Sequence, residues 1–237
     1  MNISSAIFEC SAPDLASCPD ESLPEFAFIG RSNVGKSSLL NLLAGEQGLA
    51  RVSPTPGFTK MINMFVMNKT WRLVDLPGYG YAHLAKRTSS KFNQAVTNYL
   101  QNRTNLCLVF ALIDSNLEPQ QMDVDFVDWL AHNAVPFVLV FTKTDKVKPA
   151  AVEANIAAFN ARIAEWFTQP PAMFKCSATA KHGRHELLAV IGEAMTAIQA
   201  AAGQTSADAE TEAEETGVLK PLVSEIRNKR PDRARPW

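Results

Sequence analysis

From residue 25 to about residue 200 the chain alternates two kinds of apolar pattern. One kind is short and nearly unbroken: EFAFIG, INMFVM, TWRLVDL, LCLVFALID, PFVLVFT and AMFKCS. Most of these runs lack a polar residue at every second position, which predicts strands buried on both faces. The other kind carries helical patterning: KSSLLNLLA, SKFNQAVTNYLQN, QQMDVDFVDWLAHN, PAAVEANIAAFNARIAEWF and HELLAVIGEAMTAIQA. Strands and helices in alternation predict a parallel sheet with helices on both faces. INMFVM and TWRLVDL are separated only by Asn68 and Lys69. That gap is too short for a crossover helix, so this pair is expected to be an antiparallel hairpin. The expected fold is α/β, with a six-stranded, mostly parallel sheet containing one antiparallel strand.

Composition shifts bound this body. Residues 1–24 are rich in Ser, Pro and Asp and read as an irregular N-terminal arm. Residues 201–237 begin with AAGQTSADAETEAEETG, which has five acids and no Lys, Arg or aromatic residue. They end with VLKPLVSEIRNKRPDRARPW, where six bases face two acids. Neither piece has the apolar density for a core, so an acidic-then-basic C-terminal tail, disordered or weakly helical, is expected. The remaining 200 residues hold 17 acids and 17 bases, and the whole chain has a net charge of −1. That balance argues against coating nucleic acid by bulk charge, DNA included. The longest apolar run, LCLVFALI, is far too short to span a bilayer. MNISSAIFEC has neither the basic start nor the apolar run of a signal peptide. The four cysteines are scattered without a CxxC pair and read as reduced thiols of a cytoplasmic protein.

GRSNVGKS, residues 30–37, follows one predicted strand and opens one predicted helix. This is GxxxxGK[ST] in its proper context, a phosphate-binding loop. Gly30 and Gly35 let successive N–H groups turn toward phosphate oxygens, and the helix aims its positive end at the same place. Lys36 would reach the β- and γ-phosphates, and Ser37 would offer its hydroxyl to Mg²⁺. TKTD, residues 142–145, ends a later strand and so lies on the same rim of the sheet. A carboxylate at Asp145 can accept from N1–H and the 2-amino group of guanine, whereas adenine offers it an acceptor and no amino group there. Lys143 can lay its stem over the base. The alternative for Asp145 is a helix N-cap ahead of Pro149. CSA, residues 176–178, ends the last strand and could offer backbone N–H groups to the guanine O6.

Two further stretches have the properties of nucleotide-sensing loops. VDLPGYGYA, residues 74–82, places Asp75 at a strand end where a carboxylate holds Mg²⁺ through water. Gly78 can donate its N–H to a γ-phosphate. SPTPGFTK, residues 53–60, is a Pro- and Gly-containing loop whose threonines are candidates to close on Mg²⁺ and γ-phosphate, Thr59 ahead of Thr55. Tyr79 stands where many GTPases carry a water-orienting glutamine, so unaided hydrolysis is expected to be slow. Asn33 has two readings: a ligand for a potassium ion that supplies positive charge, or a loop residue tolerating an unusual backbone angle. Lys86, Arg87 and Lys91 follow the second loop; a solvated helix face is favoured over contact with RNA phosphates.

With these motifs in this order, the chain resembles the EngB (YihA/YsxC) family of GTP-binding proteins, within the TrmE–Era–EngA–EngB–septin-like GTPases. SAPD, GRSNVGKSSLLN, TPGFT, INMF, VDLPGYGYA and TKTDK carry the resemblance, over residues 6 to about 200. Phe58 and the long tail depart from the family pattern. The resemblance implies a P-loop NTPase G domain at residues 25–200. It implies nucleotide contacts from Gly30, Arg31, Ser32, Asn33, Val34, Gly35, Lys36 and Ser37, and from Gly57, Phe58, Thr59, Lys60 and Met61. Asp75, Leu76, Pro77 and Gly78 join them, as do Thr142, Lys143, Thr144 and Asp145, with Cys176, Ser177 and Ala178 completing the set. Lys36, Thr59, Gly78 and Asn33 are the implied catalytic residues, with Ser37 and Thr59 as metal ligands. The implied activity is hydrolysis of GTP to GDP with Mg²⁺, in a monomer serving assembly of the large ribosomal subunit through its rRNA and protein. Normal cell division and septation are implied too. A division-site protein that never touches the ribosome is the alternative. An enzyme using the nucleotide as phosphoryl donor would want a substrate-binding insertion, which the chain lacks.

Overall fold

The computed structural model describes residues 1–50, 61–80 and 86–205, with the backbone alone for 86–93 and 202–205. Seven strands form one sheet in the order β1-β3-β4-β2-β5-β6-β7. They are β1 (Ala6–Ala12), β2 (Glu25–Gly30), β3 (Ile62–Met67), β4 (Trp71–Asp75), β5 (Leu106–Asp114), β6 (Phe137–Thr142) and β7 (Met173–Lys175). The helices are α1 (Lys36–Ala44), α2 (Lys86–Asn102), α3 (Gln121–His132), α4 (Pro149–Ile163) and α5 (Arg184–Thr205). Every residue of β2, β4 and β6 is buried, the charged Glu25, Arg72 and Asp75 included. The core lies in two layers. Leu39, Leu40 and Leu43 of α1 and Leu187 and Ile191 of α5 cover one face of the sheet. Val96 and Tyr99 of α2, Phe126 and Leu130 of α3 and Phe159 of α4 cover the other.

β3 runs antiparallel to both of its neighbours and is the one reversed strand. Asn68 and Lys69 join it to β4 with φ of 50° and 60°. Two left-handed residues in succession suit the right-handed twist of a tight hairpin. The hairpin expectation therefore holds, but the count of six strands does not. The seventh strand, β1, comes from the segment read as an irregular arm. Its residues are mostly exposed, so burial alone left no pattern to read. Partners elsewhere hold it: Asn68 Oδ1 accepts from Ser4 N–H at 2.8 Å, Ser11 Oγ donates to Asn63 at 2.6 Å, and Phe8 meets Phe65 edge-on. Of the segment 201–237 expected to be a tail, residues 201–205 continue α5 as helix, and the rest lies outside the described residues. Among those described, no helix is long and apolar enough to cross a membrane.

Candidate functional site

β2 is the central strand, and its end delivers residues 30–37 to the rim where β4, β5 and β6 also end. A Cβ on Gly30 would lie 2.7 Å from the Leu112 carbonyl oxygen, so β5 tolerates no side chain there. Gly35 has φ of 102° and stands at the N-cap of α1, in the left-handed region open to glycine. Asn33 also has positive φ, 66°. Asparagine tolerates that conformation better than most residues.

Lys36 is buried and its ammonium pairs with the Asp75 carboxylate, itself 3% exposed. Asn63 Nδ2 approaches the other Asp75 oxygen at 3.4 Å. Each buried charge thus has one principal partner, and an arriving polyphosphate with its cation can replace both. Hard oxygens of Ser37 and Asp75 suit Mg²⁺, which keeps most of its shell as water and phosphate oxygen. The described residues contain no cluster of three His, Cys, Asp or Glu that could cage a metal. Gly78 sits directly against the loop, since a Cβ there would fall 2.9 Å from the Gly30 carbonyl oxygen. Leu76 and Pro77 lie between Asp75 and Gly78, with Leu76 N–H bonded to the Phe28 carbonyl at 3.0 Å. Tyr79 turns into the core, 4.6 Å from the ring of Phe126. No side chain orients water from that position.

A cleft of about 180 Å³ separates the phosphate loop from the ends of β6 and β7. Gly35, Thr142, Lys143, Asp145, Cys176 and Ala178 line it, as do Ser38, Lys146 and Thr179, which sequence reasoning passed over. Ser38 and Lys146 fall inside GRSNVGKSSLLN and TKTDK, and Thr179 directly follows CSA, which was the available signal. Thr142 Oγ1 donates to the Val34 carbonyl at 2.7 Å and so ties the two motifs together. Lys143 has φ of 60° and its ammonium meets Asp114 at 2.5 Å, holding the stem across the cleft. Thr144 donates through its hydroxyl to the Cys176 carbonyl at 3.2 Å.

Asp145 accepts from Ser177 Oγ at 2.6 Å, and that bond holds its carboxyl below the usual range. Ser177 Oγ in turn accepts from Ala180 N–H at 2.9 Å. The N-cap of α4 is Lys148, so the capping alternative for Asp145 is not realised.

The expectation for residues 176–178 needs correction. Cys176 N–H donates to Phe141 at 2.8 Å, and Ser177 N–H donates to His182 at 3.1 Å. Strand pairing and a closing turn have taken both donors, which leaves Ala178 N–H to meet a base. Ser177 acts on Asp145 instead. Met61 lies at the described edge of its loop and is 37% exposed. Thr55, Gly57, Phe58, Thr59 and Lys60 lie outside the described residues, as do the side chains of Lys86, Arg87 and Lys91.

A phosphate loop, a guanine-type carboxylate and a strand-end Asp on one rim describe a nucleotide site, and comparison with known proteins names its kind. Residues 25–143 match the family model for 50S ribosome-binding GTPases. The "Probable GTP-binding protein EngB" of Christiangramia forsetii is 45% identical over 188 residues, covering 79% of this chain and 95% of that protein. Its counterpart in Phocaeicola vulgatus is 46% identical, covering 79% and 94%. The chain belongs to the EngB family of GTP-binding proteins. A crystal structure described as "a probable GTP-binding protein engB" shares the fold, with a TM-score of 0.58 at 23% identity. It covers 73% of this chain and 98% of that one. The protein is accordingly a GTPase with a P-loop α/β fold.

Proposed function

We propose that this EngB-family GTPase is a switch acting in assembly of the large ribosomal subunit, with GTP held across the cleft between residues 30–38 and 142–145. The observation that carries the nucleotide pose is the Thr142–Val34 bond, which fixes base-reading and phosphate-gripping segments in one frame. In this pose Asp145 accepts from guanine N1–H and the 2-amino group, the Lys143 stem covers the base, and Ala178 N–H faces O6. Lys36 leaves Asp75 for the β- and γ-phosphates. Ser37 and Thr59 are the protein ligands for Mg²⁺, with Asp75 acting through water. Bound there, Mg²⁺ supplies charge that offsets the developing charge on the phosphates. Gly78 N–H holds the γ-phosphate. With Tyr79 facing the core, intrinsic hydrolysis is slow, and Asn33 is a proposed potassium ligand that adds positive charge.

The nucleotide unit is residues 25–200, completed by β1, and the segment 201–237 is dispensable for GTP binding. The ribosomal reading draws on the description of the matched family. A place in cell division and septation, in a cytoplasmic monomer, goes with it. Sedimentation with isolated large ribosomal subunits tests the proposal. Co-sedimentation with a non-hydrolysable GTP analogue, and release with GDP, is the expected result. Absence of the protein from the subunit fraction in both nucleotide states would support a division-site role without ribosome contact.

A further inference from the structure

The phosphate loop and the chain that follows β4 meet twice. Their backbones join first: Ser32 N–H donates to the Tyr79 carbonyl at 3.1 Å, and Tyr79 N–H donates to the Gly30 carbonyl at 3.2 Å. The side chains of Arg31 and Tyr79 then converge on a third residue, Asp123, in the first turn of α3. Arg31 Nε donates to both carboxylate oxygens at 2.8 and 2.9 Å, and the Tyr79 hydroxyl donates to Oδ1 at 3.0 Å. Asp123 is only 1% exposed. Burial pushes its carboxyl above the usual range, so Arg31 and Tyr79 stabilise a charge that water cannot reach. Immediately beyond Tyr79 lies Gly80, with φ of +85°, where a Cβ would stand 2.8 Å from Met122 Sδ of α3. The chain therefore leaves Tyr79 pressed against the same helix.

We propose that Arg31, Tyr79 and Asp123 form a clamp that positions Gly78 for GTP hydrolysis, with Asp123 as a positioning residue acting from α3. The clamp rests on the reading of the cleft as a GTPase site. Gly78 is one residue from the clamped Tyr79 and touches the phosphate loop. Its N–H can serve a γ-phosphate only if held to a fraction of an ångström. GDP has no γ-phosphate, so its binding does not call on this alignment. Loosening the clamp therefore slows turnover while sparing GDP affinity. Apolar contact at the same place would fill the space without fixing direction, because only the hydrogen bonds are directional.

The test uses the full-length chain. Asp123→Asn keeps the shape and the acceptor for Tyr79 but removes the charge that faces Arg31. The expected result is a fall of about ten-fold in kcat for GTP, with Kd for fluorescent GDP changed less than about two-fold. The triple variant Arg31→Met, Tyr79→Phe, Asp123→Leu replaces the clamp by apolar groups, which often preserves stability. It should keep its melting temperature while kcat stays about ten-fold low. If the triple variant does not fold, Asp123→Asn alone decides. Three results would overturn the clamp: unchanged kcat in Asp123→Asn, equal losses of kcat and GDP affinity, or kcat restored in a stable triple variant. A wild-type chain that binds GDP yet never hydrolyses GTP would instead refute the GTPase reading beneath it.

Discussion

At the amino-terminal ends of the strands, Glu25 is fully buried and oversupplied with partners. Arg103 reaches it through Nε at 2.9 Å and Nη2 at 2.6 Å, and the Tyr99 hydroxyl adds a bond of 2.6 Å. Arg72 stands 3.5 Å away and forks onto Glu9 of β1 at 2.8 and 3.0 Å. At the carboxyl ends the groups that border the cleft have fewer partners than Glu25. Asp75 faces Lys36, Asp114 faces Lys143, and Asp145 faces Ser177. The difference is one of exchangeability. A charge with several buried partners cannot be released without stranding the others. A charge with one partner beside a cleft can hand that partner to a ligand. The first end fastens the N-terminal segment and α2 to the sheet, and the second keeps its charges ready for nucleotide.

Substitutions at the two ends should therefore separate stability from binding. The largest effect is expected at Glu25→Ala, which takes from the buried Arg103 its principal carboxylate and costs about 3–5 kcal/mol. Urea denaturation measures it, and GDP affinity of the folded fraction should hold. A loss under about 1 kcal/mol would show the network to be slack. Lys36→Ala should weaken GTP binding by ten- to a hundred-fold, from a charge-assisted contact of about 1.5–3 kcal/mol. Fluorescent-nucleotide titration reads this. An unchanged affinity would mean that Lys36 stays with Asp75. Ser177→Ala frees the Asp145 carboxylate to rotate and should cost about 0.5–1.5 kcal/mol of guanine binding, with melting nearly unchanged.

A further effect concerns pH. Burial, reinforced by the Asp145 carboxylate, pushes the Cys176 thiol up to about 12. Its folded-state pKa thus lies above its unfolded value near 8.5–9. The unfolded chain loses this proton first as pH rises, so stability present below about pH 9 declines toward pH 12. Denaturation midpoints at pH 8 and pH 10.5 should fall less in Cys176→Ala than in wild type. Equal falls would place the thiol's titration elsewhere.

EFAFIG, INMFVM, LCLVFALID and KSSLLNLLA coincide with elements of the structure because burial on both faces or a flanking glycine marks their limits. AIFECSA gave no such mark, since its place depends on Asn63, Asn68 and Arg72 far along the chain. The site divides the same way. Lys36, Asp145 and Thr142 lie within contiguous motifs and were legible. The Asp123 clamp joins three separate segments, and no local spacing announces it. Cys176 and Ser177 illustrate another limit: a motif names residues but does not say which of their N–H groups the sheet has already taken.

The most direct test is to titrate wild type and Asp145→Asn with fluorescent GTP and xanthosine triphosphate in parallel. The 2-position of xanthine is an acceptor where guanine has a donor, so an amide at residue 145 suits xanthine. The expected result is loss of GTP affinity in the variant with a matching gain for xanthosine triphosphate. Unchanged affinities for both nucleotides would contradict the placement of the base in the cleft between Gly35 and Asp145.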